Sequence, residues 1–184
     1  MVKLYTKRGD RGNTTLYNGD IVRKDHCIFN ALGCIDDLQA NIAVLKTSIM
    51  SSLASQEQYD FLSGVQSSLV QLCSCIATPS GRNYESTRFP DKTGEIEGMI
   101  DKLDAELPKL TTFILPGGSM PSGFAHLCRT VCRKAERKVW KVHSTTTYTQ
   151  DANVLTFLNR LNDYFFVLAR YANFVLQVEE QRYV

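Results

Sequence analysis

The feature that most constrains the fold of this 184-residue chain is the spacing of apolar residues near its C-terminal end. Apolar residues recur there in alternating steps of four and three, at Val154, Leu158, Leu161, Phe165, Leu168, Ala172 and Val175. Such spacing aligns the side chains along one side of an α-helix and is typical of helices packed in a bundle. We therefore predict a long helix that begins at Asp151, a good N-cap, and ends near Gln181.

Most of the remaining chain follows the same helical period. The pattern predicts four earlier helices, separated by segments rich in proline and glycine, at about 24–50, 56–77, 94–107 and 124–141. Strand-like alternation is limited to a weak signal within the first twenty residues. The sequence thus predicts one all-α domain over residues 1–184. It would be a five-helix up-and-down bundle over about 24–181, preceded by an irregular arm over 1–20.

Composition indicates the kind of cellular compartment in which this domain would fold and function. Hydrophobic residues make up 43% of the chain, charged residues 22%, and the net charge is +2. No stretch of 18 uncharged apolar residues predicts a membrane span. The six cysteines lie in apolar, helix-like stretches without zinc-site spacing, which indicates reduced thiols: Cys27, Cys34, Cys73, Cys75, Cys128 and Cys132. We expect a reducing compartment, the mitochondrial matrix in a eukaryote or the cytoplasm in a bacterium.

The fourth predicted helix carries a dense positive charge. Its segment 129–141 holds six basic residues and one acid, a net charge of +5. Arg129, Arg133 and Glu136 fall within a narrow arc at 100° per residue. Such a run is usually a solvated helix face, but arginine forks also suit polyphosphate oxygens, and a carboxylate among them suits magnesium. Binding to a nucleic-acid backbone is a third interpretation, although no aromatic stacking residues are interleaved with this face.

Two other helices carry polar residues at unusual places. Asn159, Asp163 and Arg170 share one side of the fifth helix, where they would be exposed or hydrogen-bonded in a site. Asp36 and Asp37 lie close to the apolar stripe of the first helix and would need a cationic partner, for which Arg129 is a candidate.

The segment YTKRGDRGNTT, at 5–15, has the composition of a phosphate-binding loop. It offers flexible backbone N–H donors, hydroxyl groups and Lys7, although it lacks the P-loop pattern. No local signature of a protein nucleophile is present, and no Glu-x-x-His pair suggests a di-metal bundle.

Five stretches together resemble the PduO-type ATP:cob(I)alamin adenosyltransferases. They read YTKRGDRGNTT, KDHCIFNALGCIDDLQANIA, FILPGG, CRTVCRKAERKV and FLNRLNDYFFVLARYAN, and the match extends from about Tyr5 to Tyr171. The resemblance implies a five-helix bundle that forms a trimer with active sites between subunits. It also implies transfer of the 5′-deoxyadenosyl group of ATP to the cobalt of cob(I)alamin, with release of triphosphate.

The resemblance also implies roles for individual residues. Those for ATP are the arm residues Thr6, Lys7, Arg8, Gly9, Thr14 and Thr15, the phosphate-contacting Lys24, the basic segment Arg133, Lys134, Ala135, Glu136 and Arg137, and Asn159. Within that set Glu136 would serve a magnesium ion. At the corrinoid, Asp36 and Arg129 would pair between neighbouring subunits, and Phe113 would lie beneath the ring. The family commonly has two adjacent arginines where this chain has Arg133 and Lys134, and lysine lacks the bidentate fork.

The implied reaction accounts for the absence of a protein nucleophile, because reduced cobalt is itself the attacking atom. A reductase and an adenosylcobalamin-dependent enzyme would be the protein partners, with no membrane or nucleic acid. Two alternatives remain from the sequence: a bundle that carries nucleotide or corrinoid without catalysis, and a basic-helix nucleic-acid binder.

Overall fold

The computed structural model describes residues 5, 7, 9–16, 19–78, 89–145 and 152–183. Within these residues there are five helices and one small antiparallel hairpin. Their bounds are β1 (Asn13–Thr15), β2 (Ile21–Arg23), α1 (Cys27–Leu53), α2 (Gln56–Ala77), α3 (Thr93–Asp104), α4 (Met120–Thr145) and α5 (Ala152–Val175). The all-α bundle predicted from the apolar spacing is confirmed.

The core runs along the contacts between α1, α4 and α5, with α2 packed on α1 and α3 packed on α5. The predicted stripe of α1 is fully buried: Ala31, Ile35, Leu38, Ile42 and Leu45. By length and composition α1 could also cross a membrane, but here its stripe packs inside the bundle. Thr145, at the end of α4, donates to the Cys27 thiol at the start of α1, so these two helices run antiparallel.

The best-predicted helix is α2, which spans Gln56–Ala77 as expected. Its start is encoded locally, because the Ser55 hydroxyl accepts from the backbone N–H of Gln58. The helix α1 begins at Cys27, later than predicted, because the His26 side chain caps it by accepting from the N–H of Ile28. Both helices therefore begin at a polar cap.

The start of α4 was predicted too late. Residues 120–123 were assigned to a turn-rich connector, but the helix begins at Met120. Its first turn is fixed from outside: Asn173 of α5 accepts from the backbone and hydroxyl of Ser119 through Oδ1, both at 2.8 Å. The Ser119 hydroxyl in turn accepts from the N–H of Ser122 at 3.4 Å. Because Asn173 is 54 residues from Ser119 in sequence, no local sequence pattern indicates this contact.

The end of α5 was predicted too far along the chain. The helix ends at Val175, and Gln177 adopts a left-handed φ of 55°. The N–H of Val178 then donates to the carbonyl of Asn173, and the chain turns back toward the segment before α4. The Asp151 cap predicted for the start of this helix lies outside the described residues.

The N-terminal arm contains more regular structure than predicted. Thr14 pairs with Val22 and Thr15 with Ile21 in the β1–β2 hairpin. Leu16, just after β1, is buried in the core and ties the hairpin to the bundle. The hairpin leads directly into α1, so it lies at the end of the bundle where α4 terminates.

Candidate functional site

The centre of the site is a carboxylate held by two amides. Glu136 of α4 accepts from Asn159 Nδ2 at 3.2 Å through one oxygen and from Asn162 Nδ2 at 2.9 Å through the other. Glu136 and Asn159, each predicted separately for the nucleotide site, are therefore brought together. Sequence reasoning missed Asn162, although its position one turn after Asn159 on α5 is a signal for the same side of the helix.

The amide of Asn162 is only partly satisfied. The residue is 4% exposed, and its Oδ1 has no hydrogen-bond partner among the described residues. A buried polar atom of this kind is costly unless a water, ion or ligand meets it. Its position beside Glu136 points to an oxygen-rich ligand site.

Three arginines lie on α4 before and after this carboxylate, at positions 129, 133 and 137. Arg133 and Arg137 are exposed, whereas Arg129 is partly buried, and its Nε has no partner within the described part of the chain. Burial, and then the charge of Arg133, lower the pKa of Arg129. Like charges spaced this way on one helix repel one another, and a bound anion or a carboxylate from elsewhere would offset that repulsion.

Two residues of the predicted basic segment face elsewhere. The Lys134 Nζ lies 3.5 Å from Asp37 Oδ2 of α1, and both side chains are about half exposed. Ala135 is fully buried in the core, where its methyl group packs against the bundle, and its role at the nucleotide stays a prediction. Consecutive positions on a helix point about 100° apart, so a continuous motif cannot all face one ligand.

The arm residues come together around a tight turn. A Cβ on Gly9 would lie 2.9 Å from the Lys24 Nζ, so only glycine fits there without displacing that lysine. The backbone N–H of Lys24 also donates to the carbonyl of Gly12 at 2.9 Å. Lys7 is exposed with a left-handed φ of 60°. Thr6 and Arg8 lie outside the described residues.

The predicted corrinoid residues lie apart from one another. Phe113 is 85% exposed in the segment between α3 and α4. Asp36 is exposed on α1, and its charge, after burial, helps raise the pKa of the nearby Cys73 thiol to about 11. Among the described residues no hydrogen bond or ion pair joins Asp36 to Arg129 within the chain.

His126 is a second residue that the sequence did not single out. It is 6% exposed, its Nδ1 has no partner in the described part of the chain, and its ring lies edge-on to Phe166. Burial, and then the charge of Arg129 one turn away, lower the pKa of His126 to about 4. The imidazole is therefore neutral at physiological pH and adds no charge beside Arg129.

The polar row predicted along α5 does not form one surface. Asn159 lies at the site, but Asp163 pairs with Arg160 at 3.3 Å. Arg170 is 4% exposed near the other end of the helix, where it donates to Glu180 and to the Pro108 carbonyl. Residues that lie at the same angle around a long helix can be several turns apart along it, so they need not share one site.

A divalent cation would find oxygen donors here, but no complete protein cage. Across 19–78, 89–145 and 152–183, as in the described part of the arm, no three His, Cys, Asp or Glu side chains cluster as metal ligands. Glu136, with the unpaired Asn162 Oδ1 beside it, fits a magnesium ion, which typically takes one or two protein ligands and completes its shell with water and phosphate.

Comparison with known proteins decides the family. Residues 4–172 match the family model for cobalamin adenosyltransferase. The chain belongs to this family. The corrinoid adenosyltransferase MMAB of Bos taurus is 41% identical over 92% of this chain and 70% of its own length. The MMAB of Homo sapiens is 40% identical over 92% of this chain and 68% of its own length. The corrinoid adenosyltransferase of Bacillus subtilis is 35% identical over 94% of this chain and 87% of its own length.

Solved structures agree with this assignment. A phenylalanine-to-alanine variant of a PduO-type ATP:corrinoid adenosyltransferase from Lactobacillus reuteri, complexed with cobalamin and ATP, superposes with a TM-score of 0.91. It is 33% identical and covers 98% of this chain and 99% of its own. An arginine-to-lysine variant of a PduO-type adenosyltransferase from the same organism, complexed with ATP, superposes with a TM-score of 0.89. It is 32% identical and covers 98% of this chain and 100% of its own. The family resemblance predicted from the sequence motifs is confirmed.

Proposed function

We propose that this cobalamin adenosyltransferase transfers the 5′-deoxyadenosyl group of ATP to the cobalt of cob(I)alamin, forming adenosylcobalamin and triphosphate. The observation that carries this is Glu136, held by Asn159 and Asn162 on a helix that also exposes Arg133 and Arg137. Its relatives are named corrinoid adenosyltransferases, and a solved neighbour holds both ATP and cobalamin.

This reaction requires the protein to position its two substrates rather than to supply a reactive side chain. Cobalt in the +1 state attacks the 5′ carbon of ATP, the carbon–oxygen bond breaks, and its electron pair leaves with the triphosphate. The protein must align cobalt and carbon and neutralise the leaving group. Arg133 and Arg137 supply the positive charge for the second task.

Magnesium would be held beside the triphosphate by Glu136. When bound, this ion neutralises charge that develops on the phosphate oxygens. The two asparagines keep the Glu136 carboxylate in one orientation, and Asn162 Oδ1 offers a further oxygen donor to the ion or its water.

The N-terminal arm would cover the nucleotide. Gly9, Lys24 and the threonines Thr14 and Thr15 lie on one short turn and hairpin, with Lys7 exposed beside them. We propose that Thr6 and Arg8 join this set. Close approach of backbone N–H groups to phosphate requires the absence of a side chain, which glycine provides.

The corrinoid would bind between subunits of a homotrimer. The unpartnered Nε of Arg129 and the exposed carboxylate of Asp36 support an ion pair formed with a neighbouring copy. Phe113 would lie against the lower face of the corrin, where an apolar ring displaces the axial ligand and eases reduction of cobalt from +2 to +1.

The six free cysteines support a reducing compartment, which is the mitochondrial matrix if the source is eukaryotic and the cytoplasm if it is bacterial. Mammalian and bacterial enzymes both occur among the relatives. A reductase that supplies the electron and an enzyme that consumes adenosylcobalamin are the partners this reaction requires.

The variant Phe113→Ala tests the corrinoid half of this function. We expect it to lose the spectral change of cob(II)alamin that accompanies departure of the axial ligand, while ATP binding stays within about twofold. Thr112→Ala, an exposed neighbour in the same segment, is the control. Normal turnover of Phe113→Ala with cob(II)alamin and a reductase would contradict the role.

A further inference from the structure

The segment that carries Phe113 has little apolar support of its own. It runs from the end of α3 to the start of α4, and the residues at 108–113 are all exposed. Phe113 is 85% exposed. Such a segment keeps a defined position only if hydrogen bonds hold it, because few buried contacts restrain it.

The chain after α5 pairs with this segment. The N–H of Tyr183 donates to the Phe113 carbonyl at 2.9 Å, and the N–H of Leu115 donates to the Gln181 carbonyl at 2.8 Å. Ile114 and Arg182 form an antiparallel bridge between the two. We call residues 178–183 the C-terminal tail. It contacts the backbone of Phe113 itself.

Apolar packing does not explain the position of the tail. A cavity lies beside the tail, and its apolar lining is limited to Leu107, Pro108, Phe174 and Val178. Phe174 and Val178 are themselves 49% and 37% exposed. Polar contacts must therefore provide most of the attachment.

Arg170 provides that attachment from inside the bundle. Its side chain is 5% exposed. Its Nε donates to Glu180 of the tail at 3.1 Å, and its second nitrogen donates to the Pro108 carbonyl at 2.8 Å. The remaining nitrogen lies 3.8 Å from Asp104 at the end of α3. One guanidinium thus joins α3, the start of the Phe113 segment and the tail, which a fork of several donors allows.

The other end of the segment is fixed one turn further along α5. Asn173 donates to the Gly117 carbonyl at 3.0 Å and accepts from Ser119. Only the part between Pro108 and Leu115 therefore depends on Arg170 and the tail.

We propose that Arg170 is a positioning residue for the corrinoid step. Through Glu180 and Pro108 it holds the tail and the Phe113 segment against each other, and so fixes the aromatic ring at the surface where the corrin binds. This rests on the proposed function only in that Phe113 meets the corrinoid. The arginine contacts neither substrate, and its effect passes through the backbone of Phe113.

Two variants test this by weakening the contacts of Arg170 rather than by deleting its side chain. Arg170→Lys keeps the positive charge but lacks the planar fork that bonds Glu180 and Pro108 together. Glu180→Gln keeps the shape of the tail but removes its charge. The matched control is Arg160→Lys, an arginine of the same helix that pairs with Glu97 and Asp163. If Arg170→Lys fails to fold, Glu180→Gln, at the more exposed partner, carries the test.

The first readout is amide hydrogen exchange, which needs no activity. Exchange in peptides covering 108–115 and 178–183 should become about tenfold faster in both variants, since a charge-assisted hydrogen bond is lost, and should not change in Arg160→Lys. Unchanged exchange in 108–115 would overturn the proposal.

The second readout separates positioning from general destabilisation. In a cob(II)alamin titration with ATP present, corrinoid affinity should fall about tenfold while ATP affinity stays within about twofold. Equal loss of both affinities, or no loss of corrinoid affinity despite faster exchange, would also overturn it. Absence of corrinoid binding by the unaltered protein would refute the proposed function and this role with it. The exchange data would then still show whether Arg170 holds the tail.

Discussion

At the scale of single residues, the neighbouring cations Arg133 and Lys134 are not equivalent. Arg133 is exposed on the same side of α4 as Glu136, whereas Lys134 lies beside Asp37 of α1. A lysine in place of arginine keeps charge without the bidentate fork. In this chain the Lys134 side chain is directed toward α1 rather than along the side of α4 that carries Glu136.

We expect Arg133→Ala to raise the KM for ATP by about tenfold or more, because a charge-assisted hydrogen bond to phosphate is lost. Lys134→Ala should raise it less than about threefold, since an exposed ion pair contributes little. Steady-state kinetics at saturating cob(I)alamin measure both. Equal losses in the two variants would show that Lys134 also reaches the nucleotide.

At the scale of elements, the start of α4 depends on a close approach between two segments. Gly118 has a left-handed φ of 99°, and a Cβ there would lie 2.5 Å from the Asn173 amide. That contact is far below van der Waals distance, and Asn173 cannot move without breaking its bonds to Gly117 and Ser119.

Gly118→Ala should therefore lower the free energy of unfolding by about 2 kcal/mol or more, through backbone strain and loss of the Asn173 contacts. Gly98→Ala, inside α3 with no atom near its added Cβ, is the control and should be neutral or stabilising by up to about 1 kcal/mol. Urea denaturation compares the two. Equal stability of both variants would mean that the Asn173 contact does not fix this turn.

The elements also show which parts of the fold the sequence encodes locally. The bounds of α2 followed from its helical period and the proline that comes after it, and the Ser55 cap seen in the structure is equally local. The stripe of α1 followed from its period. The start of α4 and the end of α5 did not, because Asn173, Arg170 and the C-terminal tail fix them through contacts distant in sequence. Local patterns cannot report such contacts.

At the scale of the whole molecule, the family motifs named several residues of the candidate site but not all of them. Glu136 and Asn159 lie in those motifs, and the structure brings them together. Asn162 and His126 were missed, because an asparagine or histidine inside an apolar helix has no distinctive spacing. The ion pair proposed for Asp36 and Arg129 requires a neighbouring copy, which one chain does not contain.

Mixing inactive variants tests that intersubunit pair. Asp36→Ala and Arg129→Ala homotrimers should each lose corrinoid turnover. In trimers reassembled from an equal mixture, about a quarter of the sites would receive both native residues if the pair joins two copies, so activity should return. No recovery in mixed trimers of confirmed mass would place the pair within one chain or remove its role.

The most direct test of the central claim is an anaerobic assay of adenosyl transfer. The protein is mixed with ATP, magnesium and chemically reduced cob(I)alamin, and absorbance is followed as the cobalt–carbon bond forms. We expect ATP-dependent conversion to adenosylcobalamin with one triphosphate released per turnover, slowed in Arg133→Ala. Bound ATP without any conversion would contradict the account and leave a bundle that only binds its ligands.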